Sequence, residues 1–175
     1  YEYRADGMRI SKTVNGVKTS HAWNGSNIVA DLSVGTTVIA TYVRGTNLIS
    51  SPEHGYYLYN GHGDVVNLTN SNGAVTKDYE FDAFGIEGDK DVEDTNPFRY
   101  CGEYTDSETG YVYLRNRYYE PSSGRFLNED PIRDGLNWYN YAGGNPLYYG
   151  DPTGLYAAPK IVEHKFRYSG GSMYI

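Results

Sequence analysis

The chain has 175 residues, of which 39% are hydrophobic and 21% are charged, and its formal net charge is −7. This length suits a single domain, and a mean hydropathy of −0.63 without any apolar run of about eighteen residues argues against a membrane span. The acidic excess argues against a nucleic-acid-binding surface, because neutralising phosphates needs clustered lysine and arginine. The single cysteine, Cys101, has no partner for an internal disulfide and leaves the cellular compartment open.

Aromatic residues that precede a Gly or Asx-Gly turn recur at short intervals along the first half of the chain. They are Tyr3, Trp23, Tyr42, Tyr59 and Tyr79, spaced 20, 19, 17 and 20 residues apart. Between them, residues 9–14, 27–32 and 37–43 alternate polar and apolar side chains, a period of two that is typical of β-strands. We therefore expect each repeat to supply two strands of one continuous antiparallel sheet. Neighbouring repeats must stack, because a unit this small cannot bury its own face.

Asparagine-glycine pairs mark several of the expected hairpins. Asn15-Gly16 and Asn72-Gly73 each offer the residues that tolerate the two positive φ values of a type I′ turn. Helical periodicity is weak before residue 135, and short helical turns are expected only near 135–150. The sequence thus predicts an all-β fold of antiparallel hairpins. Because Tyr1 starts inside the repeat pattern, we also expect the chain to be a piece of a longer protein.

Motifs for metals and cofactors are weak in this sequence. The chain has four histidines, which are His21, His54, His62 and His164. They do not show the spacing of metal ligands, and Cys101 has no second cysteine to join it in a zinc motif. The acidic segment 89–94 alternates carboxylates as a calcium loop does, but it lacks the glycine and the final glutamate of such a loop. We therefore expect no metal and no cofactor, and we interpret 89–94 as a solvated connector.

Residues 57–85 resemble the tyrosine-aspartate (YD) repeats of rearrangement-hotspot (RHS) proteins, most clearly in Tyr-Glu-Phe-Asp-Ala-Phe-Gly at 79–85. The resemblance is closer at 96–155, where several motifs follow one another in the order of the RHS repeat-associated core. These motifs are Asn-Pro-Phe-Arg-Tyr (96–100), Tyr-Leu-Arg-Asn-Arg-Tyr-Tyr (113–119), Gly-Arg-Phe (124–126) and Asp-Pro-Thr-Gly-Leu (151–155). The resemblance implies three parts: YD repeats of a β-shell at 1–95, an RHS core at 96–155 and a variable tail at 156–175.

In that family, the repeats form a sheet strip that curls into a hollow shell, and the core closes one end. The shell encloses a C-terminal toxin, which autoproteolysis releases. The resemblance therefore implies a processing and encapsulation module of a polymorphic toxin, secreted by a bacterium or displayed on its surface. The implied partners are the chain's own C-terminal toxin segment, the rest of the shell and an immunity protein that binds the payload. Nucleic acid is not an expected partner of this region.

The resemblance also places an aspartate pair, Asp130 and Asp151, at the catalytic site of a self-cleaving aspartyl-type autoprotease, with cleavage between Leu155 and Tyr156. Two carboxylates held close have their pKa values pushed apart, so that one acts as acid and the other as base. Two further residues are expected to support the pair. Arg125 would orient a carboxylate, and Gly154 would let the backbone approach closely.

The first aspartate motif departs from the family pattern. Asp130-Pro131-Ile132-Arg133 has arginine where the family has glycine, so we expect this loop to run one residue shorter. That departure makes Asp134 a fallback acid.

Other interpretations of the same residues stay open. Aspartate before proline is a common turn starter, so the alternative is that Asp130 and Asp151 are structural and the chain is a non-catalytic shell segment. Tyrosine-rich repeats of this length also occur in wall-carbohydrate-binding modules, where exposed aromatics stack on the ligand. The tail at 156–175 carries a net charge of +2 against −9 for residues 1–155, and it is either the start of a payload or a remnant of one.

Overall fold

The computed structural model describes residues 1–159, 165–168 and 171–174. Its first sheet is a five-stranded antiparallel meander in which each strand pairs with the next in sequence. The strands are β1 (Glu2–Tyr3), β2 (Arg9–Val14), β3 (Val17–Asn24), β4 (Asn27–Leu32) and β5 (Val38–Thr41). A short 3₁₀ turn, Val34–Thr36, joins β4 to β5.

A second five-stranded antiparallel meander follows directly. Its strands are β6 (Val43–Arg44), β7 (Leu48–Ser51), β8 (Gly55–Tyr59), β9 (Val65–Thr69) and β10 (Val75–Asp78). Only Tyr42 separates β5 from β6. Its N–H donates to the carbonyl of Val29 (2.9 Å), and its buried hydroxyl donates to Asp31 (2.9 Å). The sheet that the sequence predicts as continuous is therefore interrupted where this tyrosine turns inward.

The third sheet has four antiparallel strands. They are β11 (Tyr104–Asp106), β12 (Tyr111–Leu114), β13 (Arg117–Glu120) and β14 (Arg125–Phe126). Two strand pairs complete the chain: β15 (Tyr149–Gly150) with β16 (Ala158–Pro159), and β17 (Lys165–Tyr168) with β18 (Gly171–Tyr174). The rest of the predicted tail, at 160–164 (with His164), 169–170 and 175, lies outside the described residues.

The predicted all-β fold of antiparallel hairpins is confirmed. Within 135–150, the expected helical turns amount to one 3₁₀ turn, Ala142–Gly144, and another, Tyr100–Gly102, precedes β11. Among the described residues, no helix has the length and apolar character that crossing a bilayer requires.

The two asparagine-glycine turns differ from each other. Asn15 (φ +50°) and Gly16 (φ +80°) both take positive φ values, so the type I′ prediction is confirmed there. At the second pair only Gly73 does (φ +79°), and the type I′ prediction is wrong for it. The reason is Asn70, whose side-chain oxygen accepts the N–H of Asn72 (2.9 Å) and so organises a longer turn.

Two clusters of buried side chains form the core. The first draws on all three sheets, and its members include Ile28, Ala40, Tyr57, Val65, Leu68, Tyr104 and Tyr113. The second belongs to the C-terminal part and comprises Tyr100, Val112, Leu114, Tyr119, Phe126, Tyr141 and Ala142. In this second cluster the rings of Tyr119 and Tyr141 stack with their centroids 3.9 Å apart. This second cluster packs β12, β13 and β14 together, and the candidate site lies beside these strands.

Candidate active site

Asp130 lies in the loop after β14, where it is buried and held by backbone hydrogen bonds. Its N–H donates to the carbonyl of Trp138 (3.0 Å), and its carboxylate Oδ1 accepts the N–H of Ile132 (3.0 Å). The N–H of Arg133 closes the turn on the carbonyl of Asp130 (3.0 Å). Arg133 has a φ of +52°, the left-handed conformation that glycine usually supplies. The expectation of a shorter loop is therefore wrong, since arginine takes the glycine position in a turn of ordinary length.

Asp151 follows β15 and starts a turn of the same kind. The N–H of Gly154 donates to its carbonyl (3.3 Å), and Gly154 has a φ of +69°. The carboxylate Oδ1 accepts the hydroxyl of Thr153 and the N–H of Leu155, both at 3.1 Å. Asp151 is 3% exposed, and this burial raises the pKa of its carboxyl, although these hydrogen bonds and the charge of Arg117 oppose the shift.

One guanidinium joins the two aspartates. Arg117, on β13, places Nη2 3.6 Å from Oδ2 of Asp130 and 3.5 Å from Oδ2 of Asp151. Its Nη1 donates to the carbonyl of Trp138 (2.9 Å), and its guanidinium carbon lies 3.6 Å from the centroid of the Phe126 ring. Burial lowers the pKa of Arg117 and the two carboxylates oppose that change. Because arginine stays protonated in proteins, one buried cation lies within ion-pair distance of two carboxylates.

Residues 115–117, in the turn after β12 and at the start of β13, donate hydrogen bonds to three successive carbonyls of the loop after Asp151. Arg115 Nη1 donates to Pro152, Asn116 Nδ2 to Thr153 (3.0 Å) and Arg117 Nε to Gly154. A Cβ at Gly154 would lie 2.6 Å from the carbonyl oxygen of Leu114 and 3.0 Å from the nitrogen of Arg117. The loop can therefore lie against the hairpin only with glycine at this position, which is the close backbone approach that the sequence predicts for it.

The peptide group between Gly154 and Leu155 is held at both ends. Its carbonyl oxygen accepts from Arg117, and its N–H donates to Asp151. The predicted cleavage site is the next peptide bond. There Leu155 is half-buried while Tyr156 is 60% exposed. The chain thus leaves the two carboxylates for the surface directly after Leu155.

Two predicted site residues lie apart from this cluster. Arg125 is exposed, and its Nη2 donates to Asn137 Oδ1 (3.3 Å) while its guanidinium lies 5.7 Å from the centroid of the Tyr139 ring. Asp134 is exposed as well. The contact with the carboxylates that the sequence predicts for Arg125 is made by Arg117.

Arg117 is absent from the predicted site residues, although the sequence carries a signal for it. Arg117 and Tyr119 are two residues apart in the aromatic motif 113–119, so the strand period puts both on one face, and both are buried. A buried arginine needs carboxylate or carbonyl partners. That requirement could have linked Arg117 to the aspartate motifs.

The chain is similar to several known proteins. The family model of the teneurin YD-shell matches residues 28–147. The tRNA3(Ser)-specific nuclease WapA of Bacillus spizizenii is 39% identical over 171 residues, which cover 88% of this chain and 7% of WapA. The double-stranded DNA deaminase toxin A of Burkholderia cenocepacia is 32% identical over 168 residues, which cover 86% of this chain and 11% of that protein.

A solved structure is similar as well. The crystal structure of TcdB2-TccC3-TEV matches with a TM-score of 0.67 at 23% identity, covering 89% of this chain and 9% of the other. At that identity the likeness shows a shared fold. The chain spans only 7% of the length of WapA, so it corresponds to a small part of that relative. Because the YD-shell model matches more than half of the residues, this chain belongs to the RHS/YD-shell family.

Proposed function

We propose that this chain is the processing and encapsulation module of a polymorphic toxin and that it cuts its own backbone after Leu155 to release a C-terminal payload. The observation that carries the proposal is that the buried Arg117 faces both buried carboxylates, Asp130 and Asp151, while Arg117 and Asp151 hold the peptide group between Gly154 and Leu155. The relatives named as a tRNA nuclease and a DNA deaminase toxin support a link to toxins.

Hydrolysis by an aspartate pair needs one protonated and one ionised carboxyl group at the same pH. We assign the protonated role to Asp151, because burial raises its pKa, and the ionised role to Asp130. Asp130 takes a proton from a water molecule, and the water oxygen attacks the carbonyl carbon of Leu155. As the bond to the Tyr156 nitrogen breaks, Asp151 gives its proton to the leaving amine. The products are a carboxyl group on Leu155 and an amino group on Tyr156.

Arg117 acts in this mechanism as a positioning residue. It holds the carbonyl of Gly154 through Nε and faces both carboxylates through Nη2, so it fixes the substrate strand relative to the acid and the base. Such alignment matters because a shift of about 1 Å in a reacting group can cost a hundredfold in rate.

The same proposal assigns the three parts of the chain. Residues 1–95 are repeats of the shell, 96–155 are the core that cuts, and 156–175 begin the payload or are its remnant. The proposed partners are the payload, the rest of the shell and an immunity protein directed against the payload. The proposed location is outside the bacterial cytoplasm, either secreted or on the cell surface.

A non-catalytic shell segment is the second candidate function, and one observation favours it. Each carboxylate already accepts hydrogen bonds within its own turn, from Ile132 at Asp130 and from Thr153 and Leu155 at Asp151. Such bonds are sufficient reason for an aspartate to start a turn. A carbohydrate-binding module is less favoured, because two of the repeating aromatics, at positions 42 and 79, are buried rather than available for stacking on a sugar.

Intact mass spectrometry of freshly purified protein at neutral pH tests the proposal. The wild type is expected to give a fragment that ends at Leu155. Asp130→Asn and Asp151→Asn are expected to stay whole, because the amide keeps the shape of the side chain but cannot carry out the proton transfer. Asp134→Asn is the matched control, since it removes an exposed carboxylate of the same loop, and it should cleave like the wild type.

The position of the new terminus decides between the candidates. A single uncut mass for the wild type and both site variants would support the shell-segment function. Cleavage after Leu155 at the wild-type rate in both site variants would show that the aspartate assignment is wrong. A fragment ending at Asp130 or Asp151 would instead report chemical hydrolysis of an acid-labile Asp-Pro bond.

A further inference from the structure

Three side chains of metal-ligating type converge away from the aspartate pair. His62 lies in the turn between β8 and β9, Asp64 directly precedes β9, and Cys101 lies in the 3₁₀ turn before β11. One ring nitrogen, one carboxylate oxygen and the thiol sulfur lie within 4.8 Å of one another. We propose that His62, Asp64 and Cys101 bind a zinc ion, with a water molecule as its fourth ligand.

The donor atoms suit zinc, which takes imidazole nitrogen, thiolate sulfur and carboxylate oxygen in four-coordinate sites. His62 Nδ1 and Asp64 Oδ1 face each other at 2.9 Å. Zinc binds Nδ1, Oδ1 and the Cys101 sulfur, and the proton of the Cys101 thiol, with any proton on Nδ1, passes to the solvent. The thiolate and the carboxylate together balance the two positive charges of the ion.

Two neighbouring groups already hold the imidazole and the carboxylate in the orientation that a metal needs. His62 Nε2 lies 2.5 Å from the carbonyl oxygen of Pro146, so it carries a hydrogen and leaves Nδ1 as the metal-binding atom. Asp64 Oδ2 accepts the amide of Asn60 (2.9 Å), which leaves Oδ1 directed at His62. Metal-binding histidines and carboxylates are typically fixed by such outer contacts.

The position of Asp64 and the access to the cluster also fit a metal. Asp64 Oδ1 accepts the backbone N–H of Cys101 (2.8 Å), which holds the carboxylate beside the thiol-bearing residue. A cavity of about 530 Å³ borders His62 and Cys101, which provides an entry path and room for the water ligand. The Tyr141 hydroxyl, 3.6 Å from the Cys101 sulfur, is placed to donate to a thiolate.

Such a zinc ion would join parts of the chain that are distant in sequence. It would bind a turn of the second meander to the start of the third sheet. Through Pro146 it would also reach the segment between the two candidate catalytic aspartates. The sequence predicts no metal site because Cys101 lies 37 residues after Asp64, and only the packing of the second meander against the start of the third sheet brings Cys101 to His62 and Asp64.

Titration of metal-free protein without an affinity tag tests the proposal, with zinc ion alone as the probe and isothermal titration calorimetry as the readout. The wild type is expected to bind one equivalent. His62→Ala and Cys101→Ser are expected to weaken binding by about tenfold or more. His54→Ala is the matched control, because His54 is a half-buried histidine outside the cluster, and it should bind like the wild type.

Cobalt ion provides a second readout that a general loss of stability does not imitate. A thiolate-to-cobalt absorption in the near ultraviolet is expected for the wild type and for His54→Ala, and it should be absent from Cys101→Ser. This conservative variant keeps the fold, which far-UV circular dichroism checks, so the comparison holds even when His62→Ala is unstable. Absence of zinc binding by the wild type at micromolar concentrations, or unchanged zinc affinity in Cys101→Ser, would overturn the proposal.

Discussion

Asp130 and Asp151 start turns of the same shape that are closed by different residues. Gly154 takes the left-handed conformation at the second turn, whereas Arg133 takes it at the first. That conformation costs a residue with a side chain about 1–2 kcal/mol. The first turn keeps its shape because the Asp130 carboxylate and N–H are both hydrogen-bonded, and Asp130 therefore reaches Arg117 despite the missing glycine.

The pKa of Asp151 is expected to shape the pH profile of self-cleavage. Burial raises this pKa above the ordinary value of about 3.9, so the carboxyl stays protonated to higher pH than an exposed aspartate does. Because the mechanism uses protonated Asp151 and ionised Asp130, the rate should fall as the pH rises through the raised pKa.

The measurement uses uncut chain from cell-free synthesis, diluted into buffers of different pH and sampled over time by mass spectrometry. A rate that climbs steadily toward alkaline pH would contradict the assigned roles, since it would mean that ionised Asp151 is the active form.

At the residue scale, the resemblance to the RHS core singled out Asp130 and Asp151 but not Arg117, the residue that faces both of them. That each aspartate starts a turn could be predicted from the Asp-Pro pairs, because turn chemistry is local. Arg117 is tied to them only by the packing of the β12–β13 hairpin against both loops, and no spacing in the sequence specifies that packing. Arg125, which lies closer to Asp130 in sequence, is exposed on a strand that turns it away from the pair.

At the scale of elements, the turn at 115–117 determines where the loop after Asp151 lies. Its side chains bind three carbonyls in a row, and Gly154 brings the loop into backbone contact with Leu114. The hairpins themselves could be predicted from strand period and turn residues. Turn type could be predicted where asparagine-glycine acts alone, as at Asn15-Gly16. It could not be predicted at Asn72-Gly73, where a neighbouring asparagine side chain organises the backbone instead.

Gly154→Ala is expected to destabilise the protein more than Gly135→Ala does. The two glycines have nearly equal φ values, +69° and +72°, so both substitutions carry the left-handed cost of about 1–2 kcal/mol. At Gly135 nothing lies within 4 Å of the added Cβ, whereas at Gly154 it would meet the Leu114 carbonyl at 2.6 Å. The loop must then move away from the hairpin, and cleavage should slow as well.

Urea unfolding of the two variants measures the difference, and Gly135→Ala serves as the control because it has the same backbone strain without the clash. Equal unfolding free energies would mean that the loop relaxes without cost and that its contact with the hairpin contributes little to stability.

At the scale of the whole molecule, the hydrophobic core extends across the predicted boundary between residues 95 and 96. The first buried cluster combines side chains from all three sheets. Arg9 on β2 also forms an ion pair with Asp106 on β11 at 2.6 Å, and both side chains are fully buried. Unfolding of the repeats alone would remove Arg9 and leave the buried carboxylate of Asp106 without this partner, which is strongly unfavourable. Residues 1–95 and residues 96–155 should therefore unfold together.

The two tryptophans of the chain report on the two parts separately, since Trp23 is on β3 and Trp138 lies between the candidate catalytic aspartates. In Trp138→Phe the fluorescence follows the repeats, and in Trp23→Phe it follows the core. In each variant, the urea midpoint from fluorescence should coincide with that from far-UV circular dichroism, as for a two-state protein. The comparison is made within each variant, because Trp23→Phe also loses the bond from Nε1 to the Arg9 carbonyl (2.9 Å) and lowers the midpoint itself. Midpoints that differ between the two probes would show that the repeats and the core are separate cooperative units, in spite of their shared cluster and buried ion pair.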